Sequence, residues 1–141
     1  AVCNTYHVNL YGELPDALNA GVPSDRCQVD WWLHSPRVVE RVGGDEWRRH
    51  THLPPQAQVL SSGRNELGLS LPPGTLPNLD GSPLALPLPD DIYAVRSADA
   101  GLGMAWQQWM RAALEPAFAA GYVAVDCTRH EDGQWLYLLV A

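Results

Sequence analysis

Catalysis needs ionisable or nucleophilic side chains held at fixed spacing, and three groupings in this sequence offer that. The first is Ser24-Asp25-Arg26, which follows the turn-forming run Asn19-Ala20-Gly21-Val22-Pro23 and enters a strand-like pattern. Asp25 can cap the turn and Arg26 brace it; alternatively Arg26, a bidentate donor, can hold a carboxylate or phosphate of a substrate. The second is His50-x-His52, which on a strand puts two imidazoles on one face and could ligate a metal. No third ligand stands at a recognisable spacing, and two solvated histidines beside Arg48 and Arg49 explain the pattern as well. The third is Asp90-Asp91, a candidate carboxylate pair, or simply acidic residues at a helix N-terminus, where the dipole favours them. The chain carries no P-loop, no GxGxxG, no GxSxG and no HExxH.

Composition narrows the chemistry further. All nine cationic residues of the 141 are arginine, which excludes a lysine Schiff base, a lysine general base and a Walker-type phosphate lysine. A net charge of −7 argues against nucleic-acid and anionic-membrane partners, both of which want clustered cations. Cys3, Cys27 and Cys127 are odd in number and have no metal-ligand spacing, so buried reduced thiols are expected rather than a secreted disulfide framework. Apolar runs are too short to span a membrane and the polar start lacks signal-peptide character, so the expected compartment is the cytoplasm. The chain opens on Ala1-Val2-Cys3 and enters an alternating pattern at once; removal of an initiator Met explains that, as does a fold whose earlier part is missing.

The elements that must position these groups follow from periodicity and punctuation. Alternation predicts a strand over residues 2–10, with Tyr6, Val8 and Leu10 on one side, and a second over 26–33. In the second, Cys27, Val29 and Trp31 face one way and Gln28, Asp30 and Trp32 the other, so one of the adjacent tryptophans must look outward. Ser35-Pro36 starts a short helix that ends near Gly43-Gly44. Eight of the twelve prolines fall within residues 54–89, which predicts an irregular wrap with short edge strands at 58–61 and 67–71 and no regular central strand. Asp90 or its neighbour caps a helix to Ser97, and Asp99 caps a long helix that stops at Gly121. In the long helix Leu102, Trp106, Trp109, Ala113 and Ala117 form one apolar stripe, and Pro116 should kink it or loosen its last turn. A hairpin then pairs residues 122–128 with 135–140 across Asp132-Gly133. The expected class is α+β, with a mixed or antiparallel sheet and one long helix.

Tyr11-Gly12, Asn19-x-Gly21-x-Pro23-Ser24-Asp25-Arg26, Asp30-Trp31-Trp32-Leu33 and Ser35-Pro36-Arg37-Val38, followed by Pro89-Asp90-Asp91, Trp106, Arg111, Phe118 and Gly121-Tyr122, resemble a bacterial branch of the GNAT superfamily of acetyltransferases. The resemblance covers roughly residues 4–40 and 86–141 and leaves the proline-rich middle unmatched. Gln107 stands where that branch carries arginine, and the Arg/Gln-x-x-Gly-x-Gly/Ala loop that grips the CoA pyrophosphate is absent; Gly101-Leu102-Gly103 is the nearest sequence. The resemblance therefore implies the C-terminal portion of a longer protein. Residues 1–34 would be terminal strands of a GNAT-like domain, and 35–141 an appended α+β region of wrap (54–89) and helix-helix-hairpin (90–141).

What the resemblance implies chemically is attack of a small amine or amino acid on an acyl-CoA thioester. A tyrosine would protonate the departing thiolate, with Tyr11 preferred to Tyr6 in the matching region. Asp25, Arg26 and the outward Trp32 would bind the acceptor. The expected partners are a coenzyme-binding N-terminal half or a second copy. A non-catalytic interaction module is the rival reading, in which the outward tryptophan and the wrap serve association. A metal hydrolase built on His50 and His52 is a third.

Overall fold

Asp91 and Asp99 each cap a helix in the way their positions dictate. A computed structural model of the chain describes residues 2–14, 21–43 and 52–141. In chain order the elements are β1 (Val2–His7), β2 (Arg26–Asp30), α1 (Pro36–Gly43), β3 (Gln58–Val59), β4 (Gly63–Arg64), β5 (Ser70–Leu71), β6 (Leu84–Pro87), α2 (Ile92–Ala98), α3 (Ala100–Ala119), β7 (Val123–Arg129) and β8 (Trp135–Val140). Asp91 Oδ1 accepts from the amides of Tyr93 and Ala94, and Asp99 Oδ1 from that of Leu102. Gly121, at φ +92°, turns the chain out of α3, and Gly133, at φ +90°, closes the β7–β8 hairpin.

The fold is α+β. Six strands form one mixed sheet in the order β2-β1-β7-β8-β6-β3, antiparallel throughout except for the β3–β6 pair. The sheet therefore runs across the expected boundary at residues 34 and 35, with β1 bonded to both β2 and β7. The helical stripe meets one face of it: Trp106, Trp109, Ala113 and Ala117 are buried against Leu84, Leu86, Tyr122 and Leu139, with Leu102 partly buried beside them. On the opposite face, by strand alternation, Ala85, Leu136 and Leu138 are buried as well.

Three expectations need correction. The proline-rich stretch does supply an internal strand: β6 lies between β8 and β3, and all four of its residues are buried. Leu84, Ala85 and Leu86 form a proline-free run just long enough to pair with β8, while Pro83 and Pro87 stand at its margins. The opening strand stops at His7 instead of Leu10, because Asn9 adopts a left-handed φ of 48°, leaving Val8 and Leu10 exposed. The second strand stops at Asp30, short of Leu33. Trp31 and Trp32 thus lie beyond the alternating ladder, and both are outward, 69% and 64% exposed.

Within the expected edge strands β3 spans Gln58–Val59 and β5 spans Ser70–Leu71, paired with β6 and β4 respectively, and side chains hold the chain between them. Trp106 Nε1 donates to Ser70 O at 2.8 Å and Trp109 Nε1 to Thr75 O at 3.0 Å. The Tyr122 hydroxyl accepts from the Gly81 amide at 2.8 Å, and Gln58 exchanges two hydrogen bonds with the backbone of Asn78. Each bond satisfies a backbone group that irregular chain would otherwise leave unpaired.

Helices α2 and α3 meet at Gly103, where an added Cβ would lie 2.5 Å from Arg96 Cγ and 3.3 Å from Arg96 Cα. Gly103→Ala should therefore destabilise the chain by about 1–3 kcal/mol, the usual cost of overpacking. Denaturant unfolding of the variant checks this; an unchanged or raised midpoint would contradict the close approach.

Candidate functional site

Asp25 organises the polar centre of the molecule. Its carboxylate accepts from the Tyr6 hydroxyl at 2.8 Å, from the Asn9 amide at 3.0 Å, and from Nε and Nη2 of Arg111 at 2.8–2.9 Å. The Asp25 side chain is only 5% exposed and that of Arg111 30%. Burial alone would raise the Asp25 carboxyl; hydrogen bonds from Asn9, Tyr6, Arg111 and Gln107 outweigh it and hold the group below the usual carboxylate range. Burial, then the bond to Asp25 and its charge, push the Tyr6 hydroxyl well above the usual phenol range.

The turn around this carboxylate is a knot of short-range polar contacts. Asn9, in its left-handed conformation, presents Oδ1 to both the amide and the hydroxyl of Ser24, and the Ser24 hydroxyl accepts from the Tyr11 amide. Ser24 is buried as a result. The Ser24-Asp25-Arg26 triplet is thus structural at its first two positions, with Asp25 clamping β1 to α3. Arg26 Nη1 donates to the Asp25 carbonyl, and its guanidinium lies 5.7 Å from the centre of the Tyr11 ring.

Beside this centre opens a cavity of about 400 Å³ between α2, α3 and the end of β2. Tyr6, Asp25, Arg26, Arg96, Trp106 and Gln107 are among its walls. Arg96 Nε and Gln107 Oε1, both buried, have no hydrogen-bond partner among the described residues, whereas Gln107 Nε2 donates to Pro23 O at 2.6 Å. The structure therefore brings together three of the expected site residues, Tyr6, Asp25 and Arg26, around one cavity. Tyr11 is 62% exposed beside Arg26, and neither it nor Trp32 lines the cavity. Arg96, Gln107 and Arg111 carry the remaining polar functions. Gln107 and Arg111 stand four residues apart on one face of α3, the signal that could have marked them as a pair aimed at a common target.

Other candidates resolve differently. Asp91 is a helix cap and Asp90 pairs with Arg64 at the surface, so the two carboxylates do not act together. His50 lies outside the described residues and His52 is exposed; among the described residues no group of three or more His, Cys, Asp or Glu is placed to hold a metal. Cys27 and Cys127 are exposed, whereas Cys3, on β1 between β2 and β7, is buried as expected; all three border an open apolar cavity. No helix among the described residues is long and apolar enough to cross a membrane. No protein-family model, curated protein or solved structure matches the chain.

Proposed function

We propose that the chain is the acceptor-side half of an acyl-CoA-dependent N-acyltransferase acting on a small amine or amino acid, inactive without a coenzyme-binding half. The observation that carries this reading is the 400 Å³ cavity in which a buried donor, Arg96 Nε, and a buried acceptor, Gln107 Oε1, stand unpaired. Buried polar atoms without partners are costly, and a ligand bearing both an acceptor and an N–H would satisfy them. Asp25 is neutralised by Arg111, so Arg26 and Arg96 leave the cavity net positive and suited to a carboxylate. GNAT resemblance at Tyr11-Gly12, Ser24-Asp25-Arg26 and Trp31-Trp32 supplies the reaction class.

The residues present do not fit CoA itself. The N-termini of α2 and α3 are closed by the carboxylates of Asp91 and Asp99, which repel a pyrophosphate, and Gly103 is packed on Arg96. Donor binding is therefore assigned to the other half, for which the outer edge of β2, unpaired among the described strands, offers a place to continue the sheet. Tyr6 serves to position Asp25, and Tyr11, presented to solvent beside Arg26, is the tyrosine that would meet the donor. The proposed setting is the cytoplasm, with neither nucleic acid nor membrane as partner.

Two titrations of the isolated chain test this. Acetyl-CoA should not bind at low micromolar concentration, whereas amino acids at millimolar concentration should shift the Trp106 indole N–H resonance. Arg96→Met and Gln107→Leu should each weaken that response about tenfold, the loss expected for a charged or buried hydrogen bond. Tight coenzyme binding, or amino acids without effect, would overturn the reading. The rival module is favoured by the exposed cluster Trp31, Trp32 and Leu33; concentration-dependent self-association abolished by Trp32→Ser would support it instead.

A further inference from the structure

A second cavity, of about 260 Å³, adjoins the first. Its walls include Val2, Val29, Val38 and Phe118, with Asp126 the one charged wall residue among those described. Cys27, Leu114 and Tyr137 line both cavities, so the polar and the apolar space lie on either side of the same three side chains. A cavity of about 150 Å³ lined by aliphatic and aromatic groups is enough to hold benzene. The larger space here therefore has room for a hydrocarbon chain of several carbons. It also gathers three cysteines that stand far apart in the sequence, Cys3, Cys27 and Cys127.

We infer that the two cavities together bind an N-acyl amino acid, its carboxylate and amide in the polar cavity and a medium-length hydrocarbon chain in the apolar one. The inference rests on the acceptor-site reading above and deepens it, since it assigns a chain longer than acetyl. Arg96 and Arg26 face the carboxylate, Gln107 Oε1 accepts from the amide N–H, and the chain crosses Leu114 and Tyr137 to lie between Val29, Val38 and Phe118. An N-acyl amino acid fits better than a free fatty acid, because a fatty acid has no amide N–H for Gln107 Oε1.

Calorimetric titration of the full 141-residue chain with N-acetyl-, N-butyryl-, N-hexanoyl- and N-octanoylglycine tests it. Affinity should rise two- to fourfold per added methylene, fourfold being the factor for full burial at about 0.8 kcal/mol per CH₂, and level off when the cavity is full. N-octanoylglycine should slow alkylation of Cys27 and Cys127 by iodoacetamide, while N-acetylglycine leaves it unchanged. Partial desolvation at the cavity wall raises both thiols above their usual range, so alkylation of the ligand-free chain is slow enough to follow. Val29→Glu, at an exposed edge position, should abolish the gain with chain length, and Arg96→Met should weaken every member by the same factor. Equal affinity across the series would overturn the inference and leave the amino-acid reading intact. Octanoate binding as tightly as N-octanoylglycine would overturn the head-group assignment. Failure of every member to bind would overturn both.

Discussion

Asp25→Ala should lower the melting temperature by roughly 10 °C, at a cost of about 3 kcal/mol. Removing one partner of a buried ion pair costs about 3–5 kcal/mol, because the other charge stays behind uncompensated. Arg111 keeps 30% of its side chain in water, which places the cost at the lower end. The loss also strands the Tyr6 hydroxyl and the Asn9 amide, which is why a buried carboxylate with three kinds of donor outweighs any surface pair in this chain. Each kcal/mol shifts the midpoint of a domain of this size by a few degrees. Asp25→Asn, which keeps an acceptor but no charge, should lose about half as much, and Asp25→Asn with Arg111→Met should lose less than the sum of the single changes.

The same carboxylate fixes an acid sensitivity. Its folded pKa lies below the unfolded value of about 3.9, so its stabilisation is fully present above that value and lost as pH falls through the folded pKa. Unfolding midpoints of the native chain should therefore drop below about pH 4, and Asp25→Asn should flatten that part of the curve. A parallel decline in both would show that the carboxylate is not the group responsible. Tyr6 acts with the opposite sign: its raised pKa means stability lost as pH rises past the free phenol value of about 10.

Trp106→Ala should come close to unfolding the protein. Trp106 is 2% exposed, packs edge-on to Trp109 with ring centres 6.0 Å apart, and donates its indole N–H to the carbonyl of buried Ser70. Truncating a buried tryptophan costs about 3–5 kcal/mol, and an orphaned buried carbonyl adds about 1–3 kcal/mol. The sum is a large share of the stability of an ordinary domain, about 5–15 kcal/mol. Trp106→Phe separates the two contributions, since it keeps much of the packing and loses the N–H. Circular dichroism during urea unfolding measures both; a Phe variant as stable as the native chain would remove Ser70 from the account.

Much of the local structure could be read from the chain alone, because its causes act within a few residues. Asp91 and Asp99 reach amides two or three positions ahead, Gly121 and Gly133 supply the positive φ that ends α3 and turns the hairpin, and the stripe from Trp106 to Ala117 needs only the helical period. Local preference fails where a distant contact overrides it. Proline count argued against an internal strand, yet three proline-free residues sufficed once β8 and β3 flanked them. Alternation extends both opening strands too far: the left-handed turn at Asn9, bonded to Ser24, ends β1 after His7, and at the other end of the pair the ladder of β2 stops at Asp30, opposite Val2.

By itself the sequence determined that there would be a long amphipathic helix, a closing hairpin and no lysine chemistry, since composition and short-range spacing decide these. Only the tertiary structure decided that Arg111 clamps Asp25 across 86 positions, that Arg96 and Gln107 face one cavity, and that three scattered cysteines share another. Contacts of that kind depend on how the strands are ordered and how the helices lie on the sheet, and side-chain spacing along the chain carries no record of either.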